Sequence, residues 1–245
     1  MFESVISANF DAVALLRYGL FDESATHLRS ALMTIQRTRH MSPSCQDERS
    51  ISCPSVSSVL VADKDNNKEQ AKRSPNTNND TKKTPIFANQ TSCFDIFNRG
   101  FLLEDAVNEL PYTEETSAVC ASVCLYNMAL ALHLKGLSKG SAASLRRASG
   151  LYEKVYTILC SLAPSPADSL SCMILAAVLN IIACESELRG HAAVEEWKNT
   201  YSNLYTWATQ GSSCPAVFGH PQDLSFFTTS AVLFQNQEFA AAPAA

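Results

Sequence analysis

Glycine is scarce in this chain, eight among 245 residues, and three of the eight (Gly19, Gly136 and Gly190) each close an apolar, helix-like run. That scarcity argues against a turn-rich all-β fold and for helix. Positive charge is equally thin: the formal net charge is −5 and no dense basic run occurs. Nucleic acid and anionic membrane are therefore disfavoured as main partners, and the charge serves solubility. Neither a C-x-x-C pair nor an H-E-x-x-H, a G-x-S-x-G elbow, a phosphate-cradling glycine loop or a paired-carboxylate motif is present. The sequence therefore offers no cofactor, no metal and no reaction.

The N-terminus MFESVISANF places Glu3 early and has no basic region before it, which is not the pattern of a secretory leader. The longest apolar run, Met173 to Cys184, is short for a bilayer span and contains Asn180. Nine cysteines are scattered and odd in number, and Cys120 and Cys124, one helical turn apart, suit a buried face better than a closed zinc site. Inert thiols in a reducing compartment follow, with the cytoplasm, or cytoplasm and nucleus, as location.

What is present is helix-forming pattern. ANFDAVALLRYG, YNMALALHLKG and LNIIACESELRG are small, apolar runs that end in glycine and precede a second helical pattern rich in compact residues. A recurring helix-turn-helix unit predicts an all-α stack of about three antiparallel hairpins. Residues 1–39 form the first: Val13, Leu16 and Leu20 continue an apolar stripe, Gly19 breaks it, and Leu28, Ala31 and Leu32 resume it. Residues 40–91 turn abruptly to Ser, Asn, Asp, Lys, Pro and Thr and are expected to be a disordered insert, with ISCPSVSSVLVA (Ile51 to Ala62) as one apolar patch able to dock.

Residues 92–112 gather Phe94, Ile96, Phe97, Phe101 and Leu103 in a short extended segment or docked hook. Residues 113–210 hold the second and third hairpins. Thr113 caps the first helix there, ahead of Glu114 and Glu115. That helix runs to about Lys135, a longer connection GLSKGSAAS follows, and its partner begins near Ser141 with Leu145, Ala148, Leu151, Tyr152 and Val155 on one face. The third pair opens with Ser165 as cap, Pro166 at the first helical position and Asp168 in the first turn; its first helix reaches about Arg189 before Gly190, and the next presents Val194, Trp197, Tyr201 and Leu204. Residues 211–245 make a C-terminal capping element, helical over 223–234 with strand the alternative, and an unanchored alanine-rich tail.

The first hairpin resembles a tetratricopeptide repeat (TPR): Ala12, Gly19, Phe21, Ser24, Leu28 and Ala31 stand at that family's relative spacing. Ala129, Gly136, Ala148, Tyr152 and Val155 take similar roles in the second unit, and Ala183, Gly190, Ala193 and Trp197 in the third. FDIFNRGF, YNMALALHLKG, LYEKVY and LNIIACESELRG, in this order, are also similar to a group of TPR-like proteins of microalgae that carry no assigned activity.

The resemblance implies a non-catalytic scaffold that binds a peptide or partner helix in a groove lined by first helices. Asn9, Asn127 and Asn180, one before each turn, are the candidate partner-binding residues, since an amide offers donor and acceptor to a peptide backbone. Local or inter-helix bonding is the competing reading. A clamp for a C-terminal carboxylate is not expected, because Asn9 and Val13 stand where the family's first-repeat Lys and Asn would be, and Ala177 and Ile181 where its basic residues would be.

The alternative function is a self-associating structural protein in which the aromatic hook and C-terminal element complete a second copy. His27, His40, His133, His191 and His220 have no compact metal spacing, and His133 beside Leu132 and Leu134 reads as a packing or surface residue. Ser42-Pro43, Ser74-Pro75 and Thr84-Pro85 are the accessible phosphorylation candidates; Arg146-Arg147-Ala148-Ser149 falls in a helix and reads as structural.

Overall fold

The computed structural model describes residues 2–41, 56–61, 96–104, 107, 110, 113–166, 168–210 and 221–240. The phosphorylation candidates at 42, 74 and 84 lie outside these, as does the tail after 240. Among the described residues the chain is mostly helical. Its order is α1 (Glu3–Arg17), α2 (Phe21–Met41), β1 (Val56–Leu60), β2 (Arg99–Leu103), α3 (Glu114–Lys139), α4 (Ala142–Ser161), α5 (Ser169–Arg189), a 3-10 turn (His191–Val194), α6 (Glu195–Thr209) and α7 (Pro221–Ala240). Consecutive helices pack on one another in this order, and β2 lies against α1 and α3.

Small side chains set the helix contacts. Ala12 and Ser24 are fully buried between α1 and α2, and the Ser24 hydroxyl donates to the Ala12 carbonyl at 2.9 Å. Gly19, with φ +74°, ends α1. The amide of Leu20 reaches back to the Leu15 carbonyl and that of Gly19 to Leu16, satisfying carbonyls that the helix end leaves open.

The second glycine behaves differently from expectation. Gly136 does not break the helix; α3 runs through it to Lys139 and stops at Gly140, which is left-handed (φ 61°). The connection to α4 is therefore two residues long, not the extended loop predicted from GLSKGSAAS, and Ser141 caps α4 through the Ser144 amide at 3.3 Å. Gly136 serves packing instead: a Cβ there would sit 2.8 Å from Leu145 Cδ2.

Other starts and stops differ less. Thr113 caps α3 as expected, accepting from the Thr116 amide at 3.0 Å. Helix α5 starts at Ser169 with Asp168, not Ser165, at its cap position. Asp168 instead uses its carboxylate to accept from the Ser165 amide at 2.7 Å. The C-terminal element is helix rather than strand and begins at Pro221.

The two strands depart most from an all-α reading. Val56–Leu60, inside the stretch expected to be a disordered insert, pairs antiparallel with Arg99–Leu103, Ser58 opposite Phe101. Val56 and Ser58, two residues apart, are buried, as is Val61 just past the strand, so the apolar patch expected to dock supplies an inward face here.

Helices α3 and α5 are each long and apolar enough, by length and composition, to cross a membrane. The expectation that Met173 to Cys184 is too short counted only the unbroken run; α5 is 21 residues long. In this fold both helices are central, and every residue of α5 from Leu170 to Glu185 is buried.

Candidate functional site

The three predicted asparagines come together. Asn9 on α1, Asn127 on α3 and Asn180 on α5 are all fully buried, and all three turn their amides onto one extended segment of the chain itself. Asn127 Oδ1 accepts from the Phe101 amide at 2.9 Å, and its Nδ2 donates to the Phe101 carbonyl at 2.7 Å. Asn9 Nδ2 donates to the same carbonyl at 3.1 Å, and Asn127 Nδ2 also donates to Asn9 Oδ1 at 2.8 Å. Both hydrogens of the Asn127 amide are thereby used.

Asn180 repeats the arrangement four residues earlier. Its Oδ1 accepts from the Phe97 amide at 3.0 Å and its Nδ2 lies 3.2 Å from the Phe97 carbonyl. The same Nδ2 is 3.1 Å from the hydroxyls of Tyr126 and Tyr152. Burial pushes both phenols well above their usual range, so they stay neutral.

Strand geometry explains why these two residues are read. The Val61 amide bonds to the Asn98 carbonyl, so residues 98, 100 and 102 present their backbone to β1, and 97, 99, 101 and 103 present theirs to the opposite edge. On that edge the asparagines replace a third strand.

The side chains of the segment are held as firmly. Phe97 stacks on Phe227 of α7 with ring centroids 4.9 Å apart, and Phe101 meets Tyr126 edge-on at 4.8 Å. Gly100 passes close to two helices: a Cβ on it would lie 3.3 Å from Asn127 Oδ1 and from both Val13 methyls. Arg99 Nε lies 2.7 Å from Asp223 Oδ1, Arg99 also donates to Gln222 Oε1 at 2.9 Å, and Ser58 donates to Asp223 Oδ2 at 2.7 Å. Asp223, 1% exposed, therefore ties both strands to the first turn of α7.

The Arg99–Asp223 pair has no motif in the sequence; the two residues are 124 positions apart. Phe97 and Phe101, by contrast, belong to the aromatic cluster predicted as a docked hook. Of the small residues assigned to packing, Ala129, Ala148 and Ala183 are buried, whereas Ala193 is exposed.

This chemistry recognises backbone; it does not transfer protons. Amides do not titrate in the usual range, and burial holds the nearby thiols protonated, Cys120 pushed up to about 12 and Cys124, Cys172 and Cys184 also raised. Among the described residues no three His, Cys, Asp or Glu side chains are grouped to hold a metal ion. Comparison of the chain with protein-family models, curated proteins and solved structures gives no significant match.

Proposed function

We propose that this protein is a non-catalytic interaction scaffold of TPR-like design, acting in the cytoplasm, whose first helices α1, α3 and α5 line a groove for a protein partner. One observation carries the reading: three amides, from three separate helices, converge on the N–H and C=O groups of a single extended segment. Such contacts read an extended chain whatever its side chains, which is how a peptide groove obtains affinity without a unique sequence. The same amides also bond across helices, Asn127 to Asn9 and Asn180 to Tyr126 and Tyr152, but only the segment is held at both the N–H and the C=O of one residue.

Panning a displayed peptide library against the full chain tests this. Selected peptides should protect the amides of α1, α3 and α5 around Asn9, Asn127 and Asn180 in hydrogen exchange. Peptides that protect only other surfaces would refute the groove.

A self-associating structural role is the second reading, favoured by apolar side chains left in solvent at both ends of the helix order. Phe10 on α1 and Tyr18 just after it are 62% and 80% exposed, and Val232 and Leu233 on α7 are also exposed. Light scattering of the full chain and of a Tyr18→Ser, Leu233→Ser double variant separates the two: a wild-type dimer that the substitutions dissociate favours self-association.

A further inference from the structure

We infer that residues Phe97 to Leu103 are a resident stand-in for the partner, and that the groove takes in their place an extended partner segment of the pattern Phe-x-Arg-Gly-Phe-x-Leu. This rests on the groove reading above and narrows it from any peptide or helix to one chemistry.

The backbone geometry decides between strand and helix. Asn180 and Asn127 each hold both the N–H and the C=O of one residue, and those residues are four apart. In an extended chain four residues span about 13 Å and present these groups on one edge. In a helix they span about 6 Å and the same groups are already bonded within the helix. The groove therefore accepts a strand and rejects a partner helix.

Side-chain requirements follow position by position. The first aromatic must stack on Phe227 and the second must meet Tyr126. At the residue before the second aromatic a Cβ would lie 3.3 Å from Asn127 Oδ1 and the Val13 methyls, so those neighbours would have to give by a few tenths of an ångström, which favours glycine there. Two residues before the second aromatic, a guanidinium is needed to satisfy the buried Asp223 carboxylate and Gln222. A smaller or neutral side chain there would leave that carboxylate without its counter-charge. Leu103 is buried and sets the last apolar position.

Exchange is permitted because an incoming segment of this pattern remakes each bond that the resident one gives up. The wild-type chain is thus self-occluded, and binding in trans is governed by competition with residues 97–103.

The test is a fluorescein-labelled peptide of residues 94–105 (FDIFNRGFLLED) titrated by anisotropy into the full chain and its Gly100→Val variant, which pushes the resident strand off while leaving every groove residue intact. The peptide should bind Gly100→Val about tenfold or more tightly than wild type. Asn127→Ala added to that variant should weaken binding about tenfold or more, as should alanine in the peptide at the positions of Phe97 and Phe101. Arg99→Ala gives a second route to the same opening should Gly100→Val lose its helical circular dichroism.

A folded variant that binds no peptide, or binds it equally with and without Asn127, overturns the inference. So does a wild-type dimer that takes up less peptide as protein concentration rises, since a second copy would then be the occupant. Library peptides of another pattern that footprint on the same helices would overturn this inference while leaving the groove reading standing.

Discussion

Asn127 gives Phe101 the pair of hydrogen bonds that a neighbouring β-strand would give it, one to the amide at 2.9 Å and one from its own Nδ2 to the carbonyl at 2.7 Å. Removing that side chain takes the side-chain partner from the buried Phe101 amide and from the Asn9 oxygen, and leaves the Phe101 carbonyl with the Asn9 amide alone. Asn127→Ala should cost about 3 kcal/mol, the sum of lost bonds and desolvated groups. Urea unfolding followed by circular dichroism measures it. A cost below about 0.5 kcal/mol, the level of an ordinary surface substitution, would mean that the cradle is not holding the segment.

How much of this was legible beforehand depends on the range of the interaction. Helix existence, the Gly19 and Gly190 stops, the Thr113 cap and the start of a helix near Ser141 are local, and periodicity with capping chemistry reads them. Gly136 misled because a glycine in an apolar helical run looks like a terminus, whereas its use is to let α4 approach through Leu145. The apolar patch that holds β1 stands out from the polar sequence around it, but that it forms a strand depends on its partner, some forty residues on. The asparagines could be singled out from the sequence as backbone readers. That they read Phe97 and Phe101 of the same chain depends on tertiary placement, as does the pairing of Arg99 with Asp223.

The two helical glycines of the α3–α4 pair should respond oppositely to alanine. Gly136→Ala gains about 1 kcal/mol of helix propensity but sets a methyl 2.8 Å from Leu145 Cδ2 and 3.2 Å from its backbone nitrogen. Overpacking of that kind costs about 1 to 3 kcal/mol, so a net loss is expected. Gly150→Ala meets nothing within 4 Å and should gain about 0.5 to 1 kcal/mol. Thermal melts of the two variants beside wild type check the opposite signs.

His133 predicts an acid limb in the stability curve. It is fully buried against Tyr152, and neither ring nitrogen has a hydrogen-bond partner among the described residues. Burial pulls its pKa down from 6.5 to about 3. Unfolded, the imidazole gains a proton near pH 6.5; folded, only near pH 3. Between those values the unfolded chain binds the extra proton, so stability falls as pH falls, by on the order of 5 kcal/mol across the whole window. His133→Leu should flatten this limb and, by removing an unsatisfied polar ring, raise stability at pH 7 by about 1 kcal/mol. An unchanged pH slope in the leucine variant would place the acid sensitivity elsewhere.

The Arg99–Asp223 pair should show strong coupling. Asp223→Ala strands a largely buried guanidinium and frees Ser58 from its acceptor, a loss of about 3 kcal/mol. Replacing both residues by apolar ones of similar size, Arg99→Met with Asp223→Leu, should recover most of it, because no lone charge remains. A double-mutant cycle in urea measures the coupling, and additive losses would contradict a direct buried pair.

Hydrogen exchange at two backbone amides tests the central claim most directly. If Asn180 and Asn127 hold the segment, the Phe97 and Phe101 amides are slowed by about a thousandfold or more relative to an unstructured chain. Asn127→Ala then releases Phe101 more than Phe97. Exchange of both amides at unstructured rates in the wild-type protein would contradict the account.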